Sequence, residues 1–274
     1  MSLVIDHPHG VSFRDDRILW ILRIGVAGCF IGHGAFGLIT KAAWVPYFGV
    51  AGISESLAWQ LMPWVGGIDV TIGLLALVFP CRSLFVWAAL WATWTALLRP
   101  LAGEPVWELL ERAGNYGVPL AILAYVGLRR PMFKRLTGQR SISDESLHTQ
   151  LSSALKYATV TLLVGHAGLG LFTHKAGLAA HYAALGVVDP TALVPAIGAF
   201  EFLLAALVLC RPTPYLLVGI AGWKLATEFL FIFSGSPVWE VIERFGSYTA
   251  PLALAMLLTR AASPASSVLS PAPG

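Results

Sequence analysis

A nineteen-residue stretch of this 274-residue chain occurs twice. Residues 103–121 recur 132 positions later as residues 235–253, and twelve of the nineteen positions are identical. The identities include the charged residues of the shared pattern GxPVWExxERxGxY. The chain is therefore a tandem duplication, and comparison of its two copies shows which residues both have kept.

The internal alignment extends well beyond this segment. Residues 66–121 align with residues 198–253 without gaps, and an upstream stretch around His33 aligns with the stretch around His166 at an offset of 133. An even number of membrane crossings in each copy gives both copies the same orientation, as in parallel repeats. We therefore expect two similar units related by an axis along the membrane normal.

The composition places these units in a lipid bilayer. Only 12% of the residues are charged, whereas soluble domains carry about 25%, and 57% are hydrophobic. A spanning helix needs about 20 apolar residues. The sequence predicts an all-α membrane protein with eight transmembrane helices arranged as two parallel four-helix repeats. The predicted spans are approximately 17–39, 59–79, 83–101, 106–128, 154–173, 191–210, 214–233 and 238–259.

Basic residues predict the orientation, because cytoplasmic loops carry an excess of Lys and Arg. With a cytoplasmic N-terminus, twelve basic residues fall inside and five outside. We therefore expect a multi-pass protein of the cell (inner) membrane, with both termini cytoplasmic and no nucleic-acid partner. The predicted segments are a cytoplasmic N-terminal segment (1–16), repeat 1 (17–130), a basic and polar cytoplasmic linker (131–153), repeat 2 (154–260) and a disordered tail (261–274).

Two short motifs resemble the DoxX-like four-helix membrane family. One is the first helix, Leu22-Arg23-Ile24-Gly25 through Gly32-His33-Gly34, followed by Lys41 and nearby aromatic residues. The other is the opening of the fourth helix, Glu-Arg-x-Gly-Asn-Tyr. The family includes membrane subunits of thiosulfate:quinone oxidoreductases and redox-accessory proteins, so the resemblance implies a quinone-linked membrane oxidoreductase subunit. Most members are single four-helix units, and the fused pair departs from that pattern.

Asp69 and Glu201 occupy equivalent positions in the middle of predicted spans. A carboxylate there costs about 2.5–3.5 kcal/mol on insertion scales and usually faces a bundle interior or a cavity. We expect His33 and His166 to be their partners. Such a pair is suited to proton transfer with a bound quinone, to ligation of a metal or haem, or simply to a hydrogen bond within the bundle.

The two copies differ in one buried pair of charges. Ala92 and Ala96 of the first copy become Lys224 and Glu228 in the second, an i,i+4 pair that we expect to neutralise itself and to reach Glu201. We assign Asp69, Glu201, Lys224 and Glu228 as candidate catalytic residues. These charges predict that the second copy holds the more polar, specialised cavity. His166, His174 and His181 are weak candidates for a metal site.

The doubled motif is predicted to lie at the outer face. It can be an interfacial helix start held by an ion pair, or the rim of an outward-facing ligand pocket. Prolines 119 and 251 predict a kink directly beneath it. The candidate ligand-binding residues are His33, His166, Glu108, Glu111, Arg112, Tyr116, Glu240, Glu243, Arg244, Tyr248, Trp91 and Trp223.

Three functions remain open at this point. The first is a quinone-linked redox subunit that binds a hydrophobic ligand near the outer face, working with an extracytoplasmic redox protein. The second is a carrier for a small solute, and the third is a non-catalytic assembly subunit of a larger complex. The cofactor is left open, with quinone favoured over haem or a metal.

Overall fold

The computed structural model describes residues 13–127, 131–136, 145–173 and 175–261, and this part of the chain is all-helical without strands. Its helices are α1 (Phe13–Leu38), α2 (Val45–Val50), α3 (Glu55–Val78), α4 (Arg82–Leu101), α5 (Trp107–Glu111), α6 (Ala113–Val126), α7 (Glu145–Leu171), α8 (Ala176–Ala184), α9 (Pro190–Cys210), α10 (Pro214–Phe233), α11 (Trp239–Glu243) and α12 (Phe245–Ala261).

Six of the helices in the described residues, α1, α3, α4, α7, α9 and α10, are long and apolar enough to span a bilayer. Large apolar side chains such as Trp64, Leu90 and Val218 are exposed on the outside of the bundle. Exposed apolar surface of this extent suits lipid contact. The helices therefore indicate a multi-pass integral membrane protein.

The predicted fourth and eighth spans are each broken in two. Helix α5 ends at Glu111 and α6 begins at Ala113, and α11 and α12 are separated in the same way at Arg244. The apolar parts, 113–126 and 245–259, are shorter than the other spans. Both α6 and α12 continue through the prolines where we predicted a kink, so the interruption lies at the arginine of the motif.

The two sequence copies, here called the first half (17–130) and the second half (154–260), are interleaved. Helix α6 packs between α4 of its own half and α7 of the other, and α12 packs between α10 and α1. Glycines allow the closest approach. A Cβ built on Gly114 would lie 2.6 Å from the Ser247 amide nitrogen, and one on Gly32 would lie 2.3 Å from that of Glu243. The halves therefore share one core.

Helix α7 begins earlier than predicted. It starts at Glu145, within the segment assigned to the linker, because Leu147, Leu151 and Leu155 continue its buried face. Residues 131–136 lie against the α3–α4 connection, where the Leu136 amide donates to the Pro80 carbonyl. Residues 1–12 and 262–274, which make up most of the predicted N-terminal segment and tail, lie outside the described residues.

Candidate functional site

His33 and Asp69 form a pair between α1 and α3. The His33 Nδ1 atom lies 2.8 Å from Asp69 Oδ2, and Asp69 is 1% exposed, so the predicted pairing is confirmed. Glycines make the contact possible, since a Cβ on Gly34 would lie 2.6 Å from the Gly66 carbonyl oxygen. A neutral His33 that donates from Nδ1 carries its lone pair on Nε2. That atom makes no hydrogen bond within the described part of the chain.

A cavity of about 160 Å³ lies beside this pair, and we call it the first-half cavity. Its walls are mainly aromatic and apolar, with His33 and Trp91 among the polar-tipped side chains. A dry cavity of about 150 Å³ holds a benzene ring. The first-half cavity is therefore large enough for one small ring, and it is partly open to the outside of the bundle.

Tyr47 and Arg99 form a polar edge of the cavity. Tyr47 donates to Glu104, and Arg99 Nη1 donates to the Tyr47 hydroxyl at 3.0 Å. Burial raises the pKa of Tyr47 well above its usual value; Arg99 opposes this shift, and the hydrogen bond to Glu104 adds to it. Tyr47 is therefore a neutral donor at physiological pH, and this edge is fixed by charge-assisted bonds.

The equivalent region of the second half is filled by charged side chains. His166 Nδ1 pairs with Glu201 Oε2, and Trp223 Nε1 donates to Glu201 Oε1 at 2.9 Å. Lys224 lies 3.7 Å from Glu201 and 3.5 Å from Glu228, as the spacing predicted. The cavity beside His166 and Glu201 measures only about 10 Å³.

Of the cavities described, the larger one therefore lies in the first half, and not in the second half, where we expected the specialised cavity. The physical reason is the space that side chains occupy. Ala92 lines the first-half cavity, and its counterpart Lys224 is fully buried in the second half. Charges that we interpreted as the lining of a cavity occupy its volume instead.

Arg244 is the centre of a second group of charges, the Arg244 cluster. It lies 2.8 Å from Glu240, 3.1 Å from Glu243, 3.1 Å from Glu228 and 3.5 Å from Glu111. Glu111 belongs to the first half, so this cluster joins the halves. Arg244 itself is 9% exposed.

Lysines extend these contacts reciprocally between the halves. Lys41 of the first half lies 2.7 Å from Glu240 of the second, and Lys175 of the second half pairs with Glu108 of the first. Arg112 pairs with Glu111 and lies 3.5 Å from Glu108. The doubled motif thus holds the two halves together.

The remaining motif residues either connect the two parts of a broken helix or line the first-half cavity. The hydroxyls of Tyr116 and Tyr248 donate to the carbonyls of Leu109 and Val241, which ties each broken helix across its break. Of the motif residues, Arg112 and Glu243 line the first-half cavity. A second-half residue therefore contributes to the site of the first half.

The weak metal assignment finds no support in the described part of the chain, where no group of three or more His, Cys, Asp and Glu side chains is arranged to hold a metal ion. His181 contacts the Ser234 hydroxyl at 2.7 Å. Burial, together with the charge of Arg244, lowers the pKa of His181. His174 lies outside the described residues.

Sequence reasoning missed several residues of the cavity. Trp44, which stacks on His33 with ring centroids 4.3 Å apart, ends a short 3-10 turn after α1, and Tyr47 lies in α2. They are the aromatic residues near Lys41 that contributed to the family resemblance, and the sequence suggested no role for them in a site. Arg99 was visible as a difference between the copies, because Phe231 replaces it, and that difference was the available signal.

Comparison with known protein families, curated proteins and solved structures found no match for this chain.

Proposed function

We propose that this chain is a DoxX-like protein of the inner membrane that binds a small aromatic ring, of the quinone type, in the first-half cavity. The observation that carries this proposal is a ring-sized cavity next to a buried histidine–carboxylate pair. In this proposal, α5 with α6 and α11 with α12 complete a fourth and an eighth membrane crossing. Both termini are then cytoplasmic, and the doubled motif lies at the outer face.

His33 supplies the acid–base chemistry of the proposed site. Oxidation of a bound quinol releases two electrons and two protons. Nε2 of His33, a basic atom without a hydrogen-bond partner in the described chain, takes one proton, and the other passes to water at the open side of the cavity. Asp69 accepts the hydrogen bond from Nδ1 and stabilises the imidazolium that forms when Nε2 takes a proton. The electrons pass to an extracytoplasmic oxidoreductase, which is the partner that this proposal requires.

The second half has a supporting role in this proposal. The buried side chains of Glu201, Lys224 and Glu228 are within ion-pair distance of partners, and the adjoining cavity has the volume of about one water. This packing favours the assembly function for the second half over a solute pathway. A carrier that uses Lys224 as its coupling group should lose uptake in Lys224→Ala liposomes.

Ligand binding can be tested directly with 2-methyl-1,4-benzoquinone and its quinol. Protein in lipid nanodiscs is titrated by calorimetry, and binding to protein-free nanodiscs is subtracted. Ala92→Leu adds three carbons to the cavity wall and should weaken binding at least tenfold. Ala226→Leu makes the same change on an exposed face of α10 and should bind as the wild type does. Equal binding by all three proteins, or none by the wild type, would reject the cavity as the site.

A mass-spectrometric inventory of protein purified in mild detergent tests the ligand class independently. We expect a copurifying quinone or quinol in the wild type and its loss in Ala92→Leu. The orientation is tested with a membrane-impermeant maleimide on intact cells. Ser236→Cys in a Cys210→Ser background should be labelled, whereas the exposed native Cys210, the last residue of α9, should not.

A further inference from the structure

The two halves differ in how the mid-helix carboxylate meets the neighbouring tryptophan. In the second half, Glu201 uses both oxygens: Oε2 pairs with His166, and Oε1 accepts a hydrogen bond from Trp223 Nε1 at 2.9 Å. Histidine, carboxylate and indole therefore form a closed chain of hydrogen bonds. No ligand group is needed to satisfy these atoms.

The corresponding series of hydrogen bonds is incomplete in the first half. Asp69 Oδ2 pairs with His33 at 2.8 Å, but Asp69 Oδ1 is buried without a hydrogen-bond partner in the described chain. Trp91 Nε1, the counterpart of Trp223 Nε1, is also buried and unpartnered. Aspartate is one methylene shorter than glutamate, and no hydrogen bond joins its free oxygen to the indole in the described chain.

We propose that a hydroxyl group of the ligand closes this gap, donating to Asp69 Oδ1 and accepting from Trp91 Nε1. Trp91 lines the first-half cavity, and so does His33, the hydrogen-bond partner of Asp69, so the proposed hydroxyl lies where the cavity meets these residues. The inference rests on the proposed function and adds to it the form of the ligand. The site selects phenols and quinols over methyl ethers and quinones.

The selection follows from the unpartnered carboxylate oxygen. A quinone carbonyl or an ether oxygen accepts from Trp91 but has no proton to donate, so Asp69 Oδ1 remains buried and unpaired. An unpaired buried polar group is costly compared with one that is hydrogen-bonded. We expect the hydroxyl form to bind about tenfold more tightly than the matched form without a donor, since each tenfold corresponds to about 1.4 kcal/mol.

The test uses 4-methylphenol and 4-methylanisole, two single-ring compounds that differ only in carrying a hydroxyl and a methoxy group, respectively. Each is titrated into protein-containing nanodiscs by calorimetry, with protein-free nanodiscs subtracted. The wild type should prefer the phenol about tenfold. Asp69→Glu gives the first half the chain length of the second, so direct pairing with Trp91 should abolish the preference. Trp91→Phe removes a donor to which both oxygens bond, so it should weaken binding of both compounds and leave the preference in place.

Trp64→Phe is the matched control. Trp64 lies on α3, is 74% exposed and does not line the cavity, so the preference of this variant should equal that of the wild type. Binding of 4-methylanisole by each variant shows that its cavity has folded.

The outcomes separate the two proposals. If the wild type binds neither compound, ring binding in the cavity fails, and the proposed function fails with it. If the wild type binds both compounds equally, ring binding stands, the gap is filled by water alone and this inference is overturned. Retention of the full preference in Asp69→Glu, with 4-methylanisole still bound, also overturns it.

Discussion

Arg244 offers the strongest test of what joins the halves. Its guanidinium is within 3.5 Å of four carboxylates, and the side chain is 9% exposed. Arg244→Met keeps much of the apolar stem but removes the positive charge and every donor. The size of the effect depends on which carboxylates have another cation.

Three of these four carboxylates still have a cationic partner after the substitution. Glu240 keeps Lys41, Glu228 keeps Lys224, and Glu111 keeps Arg112. Glu243 has no second ion pair within the described residues. Removal of one partner of a buried ion pair costs about 3–5 kcal/mol, because it leaves an uncompensated charge. We therefore expect a loss of about 3–5 kcal/mol, dominated by Glu243.

The loss can be measured as unfolding in mixed micelles of increasing SDS content, followed by far-UV circular dichroism. The melting temperature should fall by roughly 6–20 °C, at 2–4 °C per kcal/mol. Adding Glu243→Gln to Arg244→Met should restore most of the stability, because the orphaned charge is gone. Arg211→Met removes an exposed arginine and should stay within about 0.5 kcal/mol of the wild type. A loss below about 1 kcal/mol for Arg244→Met, or no recovery in the double variant, would refute the reasoning.

Three further outcomes are expected. Lys224→Met should cost less than Arg244→Met, about 1–2 kcal/mol in the same assay, because Glu201 keeps His166 and Trp223; an equal cost would contradict this. Gly114→Ala should lower the free energy of unfolding by about 1–3 kcal/mol, because its Cβ would meet the α12 backbone. Gly219→Ala should leave it unchanged, because a Cβ at that position lies in open space. His181 should titrate below its ordinary 6.5 by NMR of labelled histidine, because burial and Arg244 lower its pKa. The unfolded state then binds this proton more readily, so stability should fall as the pH drops through 6.5.

The chemical pairs of the site were predictable from the sequence. The repeat aligned Asp69 with Glu201 and His33 with His166, and a buried carboxylate needs a partner. The i,i+4 spacing of Lys224 and Glu228 likewise predicted their contact. These predictions depended on local spacing or on equivalence between copies, both of which a single sequence contains.

The position of the cavity was not predictable in the same way. A cavity is the volume that side chains leave empty, and a count of charges does not measure volume. In the sequence, Ala92 and Ala96 were noted only as positions that lack the charges of the second half, although small side chains are what leaves room for a ligand. The effect of aspartate rather than glutamate at position 69 likewise depends on the length of the side chain. That effect can be judged only once the position of Trp91 is known.

The interleaving of the halves gives the doubled motif its clearest explanation. Each motif lies between its own half and the first helix of the other: Glu240 meets Lys41, Glu108 meets Lys175, and Gly32 allows the backbone of Glu243 to approach α1. A pair of equivalent contacts is kept in both copies, since loss of either one removes an ion pair between the halves. Identity between the copies therefore reflects the interface. The proposed ligand site lies instead beside a position where the copies differ: Ala92 lines the first-half cavity, and the second half has the buried Lys224 in its place.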